Sequence, residues 1–210
     1  MPNNYNKIAK HYDLISRLVF GKSIIKAQVS LLQFIPPKGS VLIVGGGTGW
    51  ILEEISAIFP QGLMITYVEI SSQMISLAQK RNCAKNTIDF VNKPVESFIP
   101  GNKFDVIITP FLFDNFMEEK IKIVFAELNA SLKMQGRWLF ADFVNEKNKN
   151  ILWQKMLLKT MYIFFRITCN IETQKLIDME VFFKTEFSKI NESRFYAGFI
   201  KAAVYEKHTA

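Results

Sequence analysis

The segment Val41-Leu42-Ile43-Val44 is apolar on both faces and runs straight into Gly45-Gly46-Gly47-Thr48-Gly49, with a helical pattern resuming at Trp50. A short β-branched run without polar alternation predicts a central parallel strand, covered by helices on both sides. The glycines after it allow positive φ and a close approach of backbone to a ligand. Strand, glycine turn and helix in that order predict a βαβ unit.

The pattern continues down the chain. Helical spacing over 49–59 precedes a strand over 63–70, and a helix over 72–82 precedes a strand over 87–91. A strand over 104–109, a helix over 117–132 and a strand over 137–143 follow. Strands alternating with helices predict a doubly wound, Rossmann-like α/β fold with a mostly parallel sheet. Residues 4–34 read as two helices separated at Gly21 and stopped by Pro36-Pro37, which cannot continue a helix. Residues 147–183 read as helical. The tail reads as two strands, 186–189 and 195–205, joined by Ile190-Asn191-Glu192-Ser193, so the last strand is expected to be antiparallel. These pieces give one domain over 1–210: a helical lid (4–34), a cofactor-binding core (41–143), a helical cover (147–183) and a terminal hairpin (186–206).

With 210 residues, 49% of them apolar, the chain has material for one full core. No strictly apolar run is long enough to span a bilayer, and the first residues lack the apolar stretch of a signal peptide. Cys83 and Cys169 have no CxxC partner, which disfavours a disulfide framework or a structural metal site and fits a reducing, cytoplasmic compartment. The net charge of +7 invites a nucleic-acid or anionic-membrane reading, but only five of the 26 basic residues are Arg and the lysines are scattered.

Twenty residues beyond Gly49, the second strand ends in Tyr67-Val68-Glu69-Ile70. An acid at that place can accept both hydroxyls of a ribose, so turn and acid together predict a nucleoside-bearing cofactor. A dinucleotide fingerprint requires a glycine where this chain has Trp50. The spacing Gly45-x-Gly47-x-Gly49 suits a ligand without a pyrophosphate.

In these residues the chain resembles the class I S-adenosylmethionine-dependent methyltransferases. Residues 41–49 are similar to their first motif, Tyr67-Val68-Glu69-Ile70 to their second and Phe104-Asp105-Val106-Ile107-Ile108 to their fourth strand. Residues 128–139 resemble the segment leading into their fifth strand. Residues 8–18 resemble the start of the quinone-biosynthesis C-methyltransferase branch. The resemblance implies a sheet order of 3-2-1-4-5-7-6, S-adenosylmethionine as cofactor and S-adenosylhomocysteine as product. It also implies cofactor contacts from Tyr12, Gly45, Gly47, Thr48, Gly49, Glu69, Ile70, Pro94, Val95 and Thr109. The chain departs from the family at Ile43 and Pro94, where an Asp is frequent, and at Gln135, where Pro is usual.

Methyl transfer from a sulfonium needs alignment more than side-chain chemistry. A base is required only if the acceptor must lose a proton, and His11, Tyr12 and Asp114 are the candidates. Asp114 and Asn115 also suit the cap of the helix over 117–132. Phe111, Phe113 and Asn115 follow the fourth strand, where the resemblance places the acceptor, and predict a small, largely apolar one. The base-methylating signature is missing at Thr109-Pro110-Phe111, so nucleic acid is disfavoured. On the helix over 151–167, Lys155, Lys159 and Arg166 form a narrow basic stripe. That helix has three readings: a pocket roof, a homodimer interface, or a peripheral membrane contact. Rival functions are an NAD-dependent oxidoreductase, an aminopropyltransferase and a non-catalytic cofactor binder.

Overall fold

The computed structural model describes residues 6, 9, 12–98, 100–144, 156, 160, 173 and 175–209. The first helices are α1 (Tyr12–Phe20) and α2 (Ser23–Leu32), separated by Gly21 at φ +58°. Then come β1 (Ser40–Val44), α3 (Trp50–Ile58), β2 (Gln61–Val68), α4 (Ser72–Ala78), β3 (Lys85–Val91) and β4 (Phe104–Pro110). The chain continues through α5 (Glu118–Ser131), β5 (Leu132–Phe143), α6 (Glu180–Phe183), β6 (Phe187–Phe195) and β7 (Ile200–Lys207).

Among the described residues the strands form one seven-stranded sheet, ordered β3-β2-β1-β4-β5-β7-β6. The first five run parallel, while β7 is antiparallel to both β5 and β6. The expected order and polarity are therefore observed. Alternation along β1 divides the core. Val41 and Ile43 face a cluster with Leu31 and Leu32 of α2 and Ile51, Leu52 and Ile55 of α3. Leu42 and Val44 face a second cluster with Val124 and Phe125 of α5 and Trp138 of β5. A strand buried on both faces has no position for a polar residue, and Ile43 is fully buried.

The second cluster is largely aromatic. Phe125 stacks on Trp138 at 4.8 Å and Phe183 stacks on Tyr205 at 3.8 Å. The Trp138 indole N–H donates to Thr109 Oγ1 at 2.9 Å, which satisfies both polar groups inside an apolar layer.

Several boundaries differ from the sequence expectations. The tail hairpin turns at Tyr196, Ala197, Gly198 and Phe199, not at 190–193. Tyr196 and Ala197 adopt φ +51° and +53°, which suits a hairpin turn. The Tyr196 hydroxyl donates to Val19 O at 2.8 Å and so ties the turn to α1. Residues 190–193, expected as the hairpin link, belong to the edge strand β6, where a register shift falls between Lys189 and Asn191. Glu192 there pairs with Lys189 and Arg194, and charge on an edge discourages further strand pairing. β5 starts at Leu132, directly after α5, rather than at 137. α4 ends at Ala78, short of 82. The chain is non-helical over 175–178 ahead of α6. The remainder of the expected 147–183 cover, with its basic stripe, lies outside the described residues apart from Met156 and Thr160, which are helical. No helix of the described residues is long and apolar enough to cross a membrane.

Candidate active site

The turn after β1 is shaped from below by Tyr67. Its ring is fully buried beneath Gly46, and a Cβ on Gly46 would sit 2.5 Å from the ring. The Tyr67 hydroxyl donates to Gly47 O at 3.0 Å. Gly45 N donates to Val68 O at 2.9 Å, which fastens the start of the turn to β2. Gly45 and Gly47 have φ +74° and +64°, a region costly for other residues. A Cβ on Gly47 would meet nothing nearer than Met74 Sδ at 3.9 Å. The bare edge of this turn is thus a cradle that side chains would fill.

Glu69 closes the cradle at the end of β2. Its Oε2 accepts from Gly47 N at 3.1 Å and its Oε1 from Ser71 N at 2.9 Å. Only 5% of the residue is exposed. Burial pushes its carboxyl above the usual range, and the N–H donors of Ser71, Gly47 and Ile70 oppose that rise. Each oxygen with one such donor keeps a further lone pair for a ligand hydroxyl. Asn92, just past β3, donates to Glu69 O at 2.8 Å and Ile70 O at 3.0 Å, which fixes the backbone that aims the carboxylate.

Thr48 anchors α1 to this turn. Its hydroxyl lies 2.9 Å from both carboxylate oxygens of Asp13. Arg81 reaches back from beyond α4 to Thr48 O at 3.0 Å, Glu53 at 3.1 Å and Asp13 at 3.4 Å.

A cavity of about 1170 Å³, counting its solvent-open part, lies along the carboxyl ends of the parallel strands. Of the residues expected at the site, Tyr12, Gly45, Gly47, Thr48, Glu69, Ile70, Pro94, Val95, Phe111 and Asn115 are on its wall. Trp50 also lines it, without filling it. Gly49, Thr109, Phe113 and Asp114 are not on the wall. Gly49 faces α4, where its Cβ would meet Ala78 Cβ at 2.5 Å. Thr109 is spent on the Trp138 indole, and Phe113 belongs to the second cluster. His11 lies outside the described residues.

Asp114 and Asn115 do not cap α5. They form a single 3₁₀ turn with Phe113, and Met117, at the cap position, makes no side-chain cap. The Asn115 amide donates to Asp114 Oδ1 at 2.7 Å and to Phe111 O at 3.0 Å. Behind the loop stands Asp142 of β5, 2% exposed, accepting from Phe113 N at 3.0 Å and Phe143 N at 2.8 Å. Burial pushes Asp142 up to about 7, against the pull of those donors. Burial and the Asp142 charge raise Asp114 as well. Burial and mutual repulsion thus favour the protonated form in this pair.

Sequence reasoning missed Asp13, Gly46, Arg81 and Asp142, and also Gln28 of α2, which lines the cavity. Gly46 and Asp142 had a readable signal, as the middle glycine of three and as a lone acid ending an apolar strand. Asp13 and Arg81 meet only through the fold.

The sheet order and a cavity bounded by a glycine turn and a β2 carboxylate agree with what the resemblance to the class I S-adenosylmethionine-dependent methyltransferases implies. Residues 41–136 match the family described as a methyltransferase domain. A malonyl-[acyl-carrier protein] O-methyltransferase 2 of Ilyobacter polytropus is 32% identical over 143 residues, covering 67% of this chain and 52% of the relative. A ubiquinone/menaquinone biosynthesis C-methyltransferase of Geotalea daltonii is 27% identical, covering 77% and 67%. The chain spans about half the length of the malonyl-[acyl-carrier protein] relatives it matches. A solved complex of DhpI with S-adenosylhomocysteine superposes with a TM-score of 0.70 at 12% identity, covering 98% of this chain and 94% of the other, a likeness of fold.

Proposed function

We propose that this chain transfers a methyl group from S-adenosylmethionine to a small, largely apolar acceptor. The observation that carries the reading is Glu69. Its carboxylate is nearly buried, lines the cavity and is held by the N–H of Gly47, with lone pairs left for two ribose hydroxyls. The residues present suit the cofactor. The open cradle at Gly45 and Gly47 takes its methionine part, Ile70, Pro94 and Val95 flank its adenine, and Tyr12 closes over it.

When bound, S-adenosylmethionine supplies an electrophilic methyl group, so the hard chemistry resides in the cofactor. The protein aligns the acceptor and excludes water. Good near-attack alignment alone is worth roughly 7–11 kcal/mol. Phe111, at φ +52° immediately after β4, is held by its N–H to Ala141 O at 2.7 Å; it lines the cavity while its ring packs against Phe143 at 4.9 Å. Together with Ile24 and Ile25 it gives the acceptor side an apolar lining. Of the base candidates His11, Tyr12 and Asp114, Tyr12 is the one on the cavity wall among the described residues.

Calorimetry with S-adenosylmethionine, S-adenosylhomocysteine, decarboxylated S-adenosylmethionine and NAD tests the reading. Micromolar binding of the first two is expected. Binding of NAD without the sulfur nucleosides would overturn it.

A further inference from the structure

Ile24, Ile25 and Gln28 recur at helical spacing and all line the cavity, so one face of α2 forms part of its wall. Ile24 and Ile25 are the expected residues for an apolar acceptor. Gln28 is not. It is 5% exposed, in a helix whose other buried residues, Ala27, Leu31 and Leu32, belong to the first core. Its carboxamide has no hydrogen-bond partner among the described residues. It is also absent from the sealed, unsatisfied polar atoms there, which are Glu127 Oε2 and Asn129 Oδ1. Its amide atoms therefore keep accessible surface, and the space beside this buried residue is the cavity. Leaving a buried polar group unmatched once an occupant displaces water from it is costly, so an occupant beside Gln28 is selected for its ability to pair with the amide.

We propose that Gln28 is a specificity-determining residue that hydrogen-bonds a neutral oxygen group, a hydroxyl or a ketone, on an otherwise apolar acceptor. This rests on the methyl-transfer reading. A primary amide offers two donors and one acceptor and carries no charge, so it complements such an oxygen. A carboxylate beside Ile24 and Ile25 would be desolvated without a countercharge. Among the described residues, the basic residues on the wall are not held beside the amide by any hydrogen bond to it. Arg17 is exposed, Lys120 is paired with Glu96 at 2.6 Å, and Lys93 flanks Pro94.

The test compares 1-naphthol, naphthalene and 1-naphthoate binding to protein saturated with S-adenosylhomocysteine, in wild type, Gln28→Leu, Gln28→Met and Arg17→Ala. The wild type should prefer 1-naphthol to naphthalene at least tenfold. Both Gln28 variants should lose that preference while holding S-adenosylhomocysteine within twofold of wild type. An unchanged preference in either folded variant overturns the proposal. So does the absence of 1-naphthol binding, or a tighter grip on 1-naphthoate that vanishes in Arg17→Ala. Failure of wild type to bind S-adenosylhomocysteine strikes the methyl-transfer reading instead. The naphthol comparison on free protein then still decides the role of Gln28.

Discussion

The Tyr67 hydroxyl donates to the carbonyl of Gly47 at 3.0 Å, so the floor of the cofactor cradle is hydrogen-bonded to its rim. The same ring occupies the volume that any side chain at position 46 would need. Gly46→Ala should destabilise the fold by about 1–3 kcal/mol, the usual range for overpacking. Shortening the ring in the Gly46→Ala, Tyr67→Leu double variant should recover part of that loss. Urea unfolding of the four species in the cycle measures it, and strict additivity would mean that the two residues do not compete for space.

Glu69→Ala should weaken S-adenosylhomocysteine binding by about 1.5–3 kcal/mol, as expected for lost hydrogen bonds to a charged group. Isothermal titration reads this directly. An unchanged dissociation constant would remove Glu69 from the ribose site.

The residues that were legible in the sequence are those whose meaning is local. Gly45, Gly47 and Glu69 are fixed by short spacings within one βαβ unit, and the apolar run of β1 announced a strand covered on both faces. The hairpin turn was not legible. Tyr196 and Ala197 are poor turn residues, held at positive φ by a hydroxyl that reaches Val19, 177 positions away. The polar run 190–193 mimicked a loop because an edge strand carries charge on its open side. Gln28 was absorbed into the apolar periodicity of its helix, since periodicity reports which face is buried and not what that face meets.

Arg81 gathers Asp13, Glu53 and the Thr48 carbonyl, so it joins α1, α3 and the glycine turn at one point. These groups are partly exposed, and pairs of that kind contribute at most about 1 kcal/mol to stability. The larger effect is expected at α1. Arg81→Met should leave the unfolding midpoint nearly unchanged, speed proteolytic cleavage within α1 and weaken S-adenosylhomocysteine binding several-fold. Limited proteolysis with and without the nucleoside checks this. Identical cleavage rates in wild type and variant would show that α1 is held by its other contacts.

Asp142 and Asp114 impose a pH dependence whose sign follows from the direction of their shifts. Burial raises both carboxyls, Asp142 to about 7. Between the ordinary carboxylate range and that value the folded protein binds more protons than the unfolded chain. The stabilising effect of the retained proton is fully present below about pH 4 and is lost as pH rises towards 7. Each pH unit in that window costs up to about 1.4 kcal/mol per group. Asp142→Asn removes one titration and relieves Asp114 of a like charge. It should therefore flatten the decline in stability between pH 5 and pH 7.5, even if the variant is less stable throughout because one of its amide contacts to Phe113 N or Phe143 N is lost. Urea midpoints at the two pH values give the comparison. Parallel slopes for wild type and variant would show that this pair does not carry the proton.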